Sequence, residues 1–294
     1  MPELPEVETV RIGLQELLVA RTISAVTSDT DKSFPNAAAD VNAFLIGASV
    51  TAVRRRAKVL LIDLSSEYSL VIHLKMTGQL VFVSAEARFG AGHPSDSLVG
   101  NLPDKSTRVQ FGFVDDSKLF FNDQRKFGWV RLMPTAEVPN IDFMKKVGPE
   151  PLDADFTAEA FTERFQRRKN TTIKAALLDQ TVVAGVGNIY ADESLWGAKI
   201  HPSTLVKDVS QAQFARLFTE LQYVLNLSIQ KGGSSNHTYV NAEGKRGSYM
   251  DFARVFRREG LACPRCGTTI EKLKVAGRGT HICPHCQNYV SVRS

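Results

Sequence analysis

Hydrophobic positions change their period twice along this chain. Val7, Val10, Leu14, Leu17 and Leu18 recur at helical spacing directly after "MPELPE", which predicts a short helix whose first turn accommodates the prolines. From about residue 23 to 135 the apolar residues gather instead in short β-rich runs, "KVLLIDLSS", "SLVIHLKM", "QLVFVSA", "RVQFGFVDD" and "KLFFND", separated by turn signals. That is the pattern of an all-β sandwich or barrel. The polar, Gly/Pro-rich stretch "RFGAGHPSDSLVGNLPDKS" reads as an exposed loop, and the Pro/Asp-rich residues 136–156 read as a linker. Helical period returns from 157 in "TAEAFTERFQRR", "TIKAALLDQ", "ADESLWGAKI" and "VSQAQFARLFTELQYVLNLSIQKG", and ends at Gly232-Gly233. The polar segment "SSNHTYVNAEGKRGSY" follows, then a cysteine unit from about 256. The expected fold class is α+β and multidomain: a β-sandwich domain flanked by helices over 2–135, a linker over 136–156, a helical domain over 157–255 and a metal-stapled tail over 256–294.

Composition adds limits. A hydrophobic share of 43% supports a real core, and 23% charged residues argue against wholesale disorder. The net charge of +5 is modest, but cations cluster in "RRRAK", "RFQRRKNTTIK" and "RVFRR". Clustered cations suit a polyanion such as nucleic acid; as single runs they equally suit solvated faces. The chain start is acidic where a secretory signal needs a basic and then an apolar region, and no apolar run reaches membrane-spanning length. The expectation is a reduced, cytoplasmic compartment and no membrane partner.

All four cysteines lie in the tail, as Cys263-x2-Cys266 and Cys283-x2-Cys286 with sixteen residues between the pairs. Two such knuckles supply four soft ligands to one tetrahedral zinc ion and leave no open coordination position, so the metal is expected to be structural. The intervening "KLKVAGRGTH" reads as a hairpin turning at Gly277–Gly279 with Arg278 at its tip, either an exposed turn cation or a phosphate contact.

In "VVAGVGNIYADESLW" a Gly-rich turn feeds a helix, with Asn188 placed to cap it and Lys169 and Lys174 upstream. Such a turn suits a phosphate or simple helix-hairpin packing. At the start, removal of Met1 leaves Pro2 with a secondary amine, and α-amino groups titrate near 7.7–8.0, far below lysine. That amine is a candidate Schiff-base nucleophile. Glu3 and Glu6 lie one helical turn apart and are candidate proton donors, or merely acids that favour a helix N-terminus.

Taken together, "MPELPEVETVR", "RRRAK", "HLKMTGQL", "NDQRKFG", "GVGNIYADESLW", "GGSS" and "GRGTHICPHCQ" closely resemble, in order and over nearly the whole chain, the formamidopyrimidine-DNA glycosylase branch of the Fpg/Nei family. The resemblance implies an N-terminal β-sandwich, a helix–two-turn–helix domain with a lesion-capping loop over 232–249, and a C-terminal zinc finger. It implies a bacterial, monomeric enzyme of base excision repair. Its partner is double-stranded DNA carrying oxidised bases or abasic sites. Its activity is excision of 8-oxoguanine and formamidopyrimidines followed by β,δ-elimination. Residue by residue, Pro2 matches the nucleophile and Glu3 the proton donor for sugar-ring opening. Glu6 matches an acid near the site, Lys58 the donor for β-elimination, and Arg278 the residue of δ-elimination. Asn188 and Lys169 match backbone contacts, with Lys174 in the same basic helix. Met76, Arg125 and Phe127 match the trio that enters the base stack where the lesion leaves. An extruded base leaves a void that a flat or apolar side chain refills.

Two departures stand out. "KSTR" at 105–108 replaces the family's histidines, and Arg108 is the candidate for the missing phosphate contact. Asn236 and His237 replace an apolar residue and an arginine in the capping loop. Three rival readings remain: a glycosylase for oxidised pyrimidines, a non-catalytic zinc-finger binder of damaged DNA, and a zinc-ribbon transcription or assembly factor, the last of which leaves the opening motif unexplained.

Overall fold

Strands with apolar residues at nearly every position must bury both faces. Nine antiparallel strands make up the β-rich region, and the most apolar of them, β3, β4, β5 and β8, are buried at nearly every position: β1 (Ile23–Ser28), β2 (Val50–Arg56), β3 (Val59–Leu64), β4 (Tyr68–His73), β5 (Gly78–Val83), β6 (Arg88–Gly92), β7 (Thr107–Phe113), β8 (Lys118–Asp123) and β9 (Trp129–Pro134). They form a five-stranded sheet, β1-β7-β8-β5-β6, and a four-stranded sheet, β2-β3-β4-β9. This is the computed structural model of the protein, and it describes residues 2–93, 95–234 and 249–289. The chain divides into two compact units, residues 1–145 with 228–250, and residues 146–227 with 251–294.

In the first unit the two-residue period sorts each strand between two cores. Leu60, Ile62, Leu70, Ile72, Leu80, Phe82, Leu119, Phe121, Val130 and Leu132 share one buried core between the sheets. Helix α1 (Leu4–Leu18) closes that core with Val7, Val10, Leu14 and Leu18. The alternate residues Val59, Leu61 and Val71 face outward, beneath Val138, Ile141, Phe143 and Met144. These four come from a 3-10 turn (Thr135–Asn140) and helix α3 (Asp142–Lys146); α2 is the short helix Ala38–Phe44. The stretch expected as a linker from 136 is therefore, as far as 146, a cover for a sheet face, because an all-apolar strand cannot leave that face wet.

The expected exposed loop from 88 also differs. Its first five residues are β6, paired with β5 from Val83↔Arg88 to Gln79↔Gly92. Leu98 is buried with Val81 and Phe120. Glycines hid this strand, and the structure shows why they stand there. A Cβ on Gly92 would come within 2.5 Å of the Gly78 carbonyl oxygen, and Gly92 has φ +124. Strand β2 borders the four-stranded sheet and carries the arginine run. Arg54 pairs with Asp63 of β3, and Arg55 with Glu8 of α1 at 2.8 Å.

The second unit is helical: α4 (Ala158–Gln166), α5 (Ile173–Leu178), α6 (Asn188–Ala198) and α7 (Gln211–Gln230), the last three residues of α7 grouping with the first unit. Thr157 and Thr172 cap α4 and α5 by accepting from Ala160 N and Ala175 N, satisfying donors that a helix start leaves open. Phe214 packs edge to face on Phe161 and Phe165, with Phe156 and Phe218 beside them. A hairpin of β10 (Glu271–Val275) and β11 (Arg278–Ile282) completes the unit.

A buried polar chain joins that hairpin to α5 and α6. Lys174 Nζ, fully buried, donates to Asp192 Oδ1 at 2.6 Å and Thr280 Oγ1 at 2.7 Å. Asp192 Oδ2 accepts from His281 N at 2.9 Å. Beside it, Glu193 accepts from the backbone N–H groups of Arg254, Val255 and Phe256 at 2.8–3.0 Å.

Two expectations follow. Burial, and after it the charges of Lys75 and Lys58, press the His73 imidazole from 6.5 down to about 3. The unfolded chain takes up this proton first, so the stabilisation is complete above about 6.5 and is lost as pH falls toward 3. Urea midpoints measured from pH 6.5 to 5 should fall for the wild type, by up to about 1.4 kcal/mol per pH unit from this group, and less steeply for His73→Gln. Equal slopes would acquit His73. Lys174→Met leaves a buried carboxylate without its cation and should cost roughly 3–5 kcal/mol in chemical denaturation, much of it recovered by adding Asp192→Leu.

Candidate active site

Chemistry begins where α1 begins. Pro2 through Val7 are buried, with Glu3 and Glu6 only 4% and 6% exposed. A buried helix N-terminus must find acceptors for its unpaired N–H groups. Glu3 and Glu6 do this as a reciprocal capping box, with Glu6 Oε2 accepting from Glu3 N at 2.8 Å. The second oxygen of Glu6 accepts from Ser234 N at 2.9 Å. Gly233, at φ +90, lies so close that an added Cβ would stand 3.4 Å from Glu6 Cγ. One carboxylate thus holds the chain start and the residues that open the expected capping loop. Residues 235–248 of that loop, Asn236 and His237 included, lie outside the described residues.

Lys58 sits in the two-residue turn between β2 and β3, buried at 6% exposure. The neighbouring Arg55 fixes this turn: its Nη1 donates to the Ala57 carbonyl at 3.0 Å and its Nε to Glu8 Oε2 at 2.8 Å. Glu8 belongs to α1, so an ion pair fastens the lysine turn to the helix that follows Pro2. The sequence reading missed this pair. It also missed His93, just after β6, whose imidazole is held below its usual value chiefly by burial.

Met76, Arg125 and Phe127 project from two adjoining turns. Residues 124–127 are exposed, Phe127 at 49%, while Asp123 and Gly128 on either side are buried. The Arg125 guanidinium lies 4.8 Å from the Phe127 ring centroid. A large aromatic ring half in water with a cation beside it is open to contact by a flat partner.

Two expected contacts are corrected. Arg108 is buried, with Nε donating to the Asp123 carbonyl at 2.7 Å, Nη1 to Asp29 at 2.5 Å and Nη2 to the Lys105 carbonyl at 2.8 Å. All three guanidinium nitrogens donate to protein oxygens and the side chain is buried, so it is not presented to a phosphate. Lys174 is likewise consumed by Asp192 and Thr280. Lysine spacing on α5 does not reveal that its partner, 18 residues on in α6, is a buried aspartate. Lys169 is exposed. Asn188 is the first residue of α6, with Gly187 as the cap, and its amide donates to the Gly279 carbonyl at 3.0 Å. Arg278 is exposed as the first residue of β11, beyond the turn at Ala276-Gly277 rather than at its tip.

The sulfur atoms of Cys263, Cys266, Cys283 and Cys286 all lie within 4.8 Å of one another. Pairs stand at 3.4 Å (Cys266–Cys283), 3.5 Å (Cys266–Cys286) and 4.0 Å (Cys263–Cys286). A tetrahedron with Zn–S near 2.3 Å has edges of about 3.8 Å. The donor set fits one zinc ion with no open position, so its role is to hold the hairpin.

Known proteins agree with these parts in order. Residues 1–130 match the formamidopyrimidine-DNA glycosylase N-terminal domain, residues 147–240 the H2TH domain of the same enzymes, and residues 260–288 the zinc finger found in FPG and IleRS. A formamidopyrimidine-DNA glycosylase of Latilactobacillus sakei is 41% identical over 287 residues, covering 98% of each chain. One from Streptococcus pyogenes is 42% identical over 288 residues, again 98% of each. Among solved structures, a Lactococcus lactis Fpg mutant in complex with Fapy-dG-containing DNA superposes with TM-score 0.85 at 34% identity, covering 98% of this chain and 100% of that one. The same enzyme in complex with abasic-site DNA gives the same values. With three domain models in sequence and relatives aligned end to end, this chain belongs to the formamidopyrimidine-DNA glycosylase family.

Proposed function

We propose that the protein is a bifunctional DNA glycosylase and abasic-site lyase that removes 8-oxoguanine and formamidopyrimidines from duplex DNA in the bacterial cytoplasm, acting as a monomer. The observation that carries this reading is the buried start of α1, where an imino acid at the chain end is followed by two carboxylates on one helical turn. Its likeness to enzymes solved with Fapy-dG and abasic-site DNA supports the substrate class.

Once Met1 is removed, the Pro2 nitrogen lone pair attacks C1′ of the damaged nucleotide. The glycosidic bond breaks, the base departs with a proton, and Glu3 protonates O4′ as the sugar ring opens to an iminium. The iminium acidifies the C2′ hydrogen. Its loss expels the 3′ phosphate, with Lys58 as proton donor, and a second elimination expels the 5′ phosphate with help from Arg278. Water then hydrolyses the imine and restores the amine. Glu6, whose two oxygens hold Glu3 N and Ser234 N, acts by positioning. Lys169 and Asn188 hold the DNA backbone. Met76, Arg125 and Phe127 enter the stack, Arg125 meeting the base left unpaired. Arg108 and Lys174 take no part in DNA contact. Zinc, held by the four cysteines, keeps the hairpin folded and takes no part in the reaction.

Borohydride tests the covalent step. The wild type should become linked to 8-oxoguanine duplex, whereas Pro2→Gly should lose base release and trapping together by about a hundredfold, the cost of a misplaced nucleophile. Undiminished trapping, or an intact mass that retains Met1, would refute the assignment. Single-turnover excision should favour 8-oxoguanine over 5,6-dihydrouracil; the reverse preference marks an oxidised-pyrimidine enzyme, and no adduct with either marks a binder.

A further inference from the structure

Asp123 is fully buried at the end of β8, directly before the exposed residues 124–127. Four donors converge on its carboxylate. Oδ2 accepts from Phe127 N at 2.8 Å and Gly128 N at 2.7 Å. Oδ1 accepts from Arg125 N at 3.1 Å and from the hydroxyl of Thr77. Thr77 Oγ1 in turn accepts from Arg125 N at 3.1 Å. Thr77 follows Met76 in the turn between β4 and β5. The one carboxylate therefore ties the Met76 turn to the turn that carries Arg125 and Phe127.

The surroundings permit no slack. Gly78, after Thr77, has no room for a side chain: a Cβ would stand 2.3 Å from the Leu74 carbonyl oxygen. One on Gly128 would stand 2.7 Å from the Phe121 ring and 3.1 Å from Asp123 Oδ2 itself. Each turn also holds a lysine in the left-handed region, Lys75 at φ 50 and Lys126 at φ 57. That conformation is unfavourable for a side chain of this kind and persists where the surroundings impose it. The Asp123 backbone is fixed as well, its N donating to the Ser106 carbonyl at 2.8 Å and its carbonyl accepting from Arg108 at 2.7 Å.

We propose that Asp123 is the positioning residue of the DNA-opening wedge. Its carboxylate locks Met76, Arg125 and Phe127 into one rigid unit before DNA arrives, so that the ordering of the turns is not repeated at each binding event. This rests on the wedge reading of those three residues. Arg108, set aside as a phosphate contact, gains its role here as the brace under Asp123.

Asp123→Asn is the sharp test, because it keeps the shape and changes one acceptor into a donor. In either orientation the amide turns an N–H toward at least one backbone N–H. Two substrates separate positioning from general damage. One is a paired 8-oxoguanine duplex with 2-aminopurine next to the lesion, which reports unstacking. The other is an abasic site facing a one-nucleotide gap, where no opposite base remains to be held. The variant should lose the fast unstacking signal and slow duplex excision by about tenfold to a hundredfold, while trapping on the gapped substrate changes by less than about threefold. Thr77→Val, which removes one donor and leaves Asp123 intact, should shift the same ratio in the same direction to a smaller extent, and it carries the test if Asp123→Asn fails to fold. Equal losses on both substrates, or none on the duplex, would overturn the proposal. Phe127→Ala serves as the reference. If it leaves the unstacking signal unchanged, the wedge reading fails. If it abolishes the signal while Asp123→Asn and Thr77→Val do not, the wedge stands and Asp123 is not its lock.

Discussion

A buried helix end must be given acceptors, and here the acceptors are the side chains expected to do chemistry. The first turn of α1 is closed by Glu3 and Glu6, which are also the carboxylates nearest the chain start. Folding and reactivity therefore draw on the same atoms. Glu6 is engaged by backbone at both oxygens, which makes it a fixed support for its neighbours. Holding Pro2 at a buried helix terminus removes the fraying that ordinarily loosens a chain end. The proposed nucleophile needs a defined position, and the capping box beside it fixes the helix start from which Pro2 extends.

The same economy recurs beneath the exposed turns. Carboxylates without solvent access, Asp123 in the sandwich and Asp192 and Glu193 in the helical unit, each collect several donors, among them at least one from a chain segment distant in sequence. A charge-assisted hydrogen bond is stronger than a neutral one, and a carboxylate has room for several. Such hubs let loops hold one shape without a core of their own. The exposed side chains then carry recognition while the buried acids carry geometry.

Much of this was legible in the sequence, and the omissions have physical causes. Strand period, the helix behind the prolines and the paired cysteine knuckles reflect local rules, and each matched its element. Strand β6 was missed because Gly90 and Gly92 erase the alternating pattern, although close backbone approach is what requires glycine at 92. The cover over the outer sheet face was missed because Val138, Ile141, Phe143 and Met144 are too few for a periodic signal. Lys174 and Arg108 were read as DNA contacts because a cation's partner cannot be seen from one sequence. The partners, Asp192 and Asp29, lie 18 and 79 residues away. The nearly continuous apolar run of β3 was the available clue that something must cover both its faces.

The arginine run on β2 has a consequence beyond DNA. That strand is a border of its sheet, and part of its open side is already engaged: Val50 N donates to the Arg21 carbonyl and Val50 O accepts from Ala20 N, both at 2.9 Å, while Val53 N donates to Gln15 Oε1 at 2.6 Å. Three consecutive cations along it, two of them anchored by Asp63 and Glu8, oppose the approach of an identical border by like-charge repulsion. Backbone groups already engaged, together with cations along the margin, leave this border a poor template for a further strand.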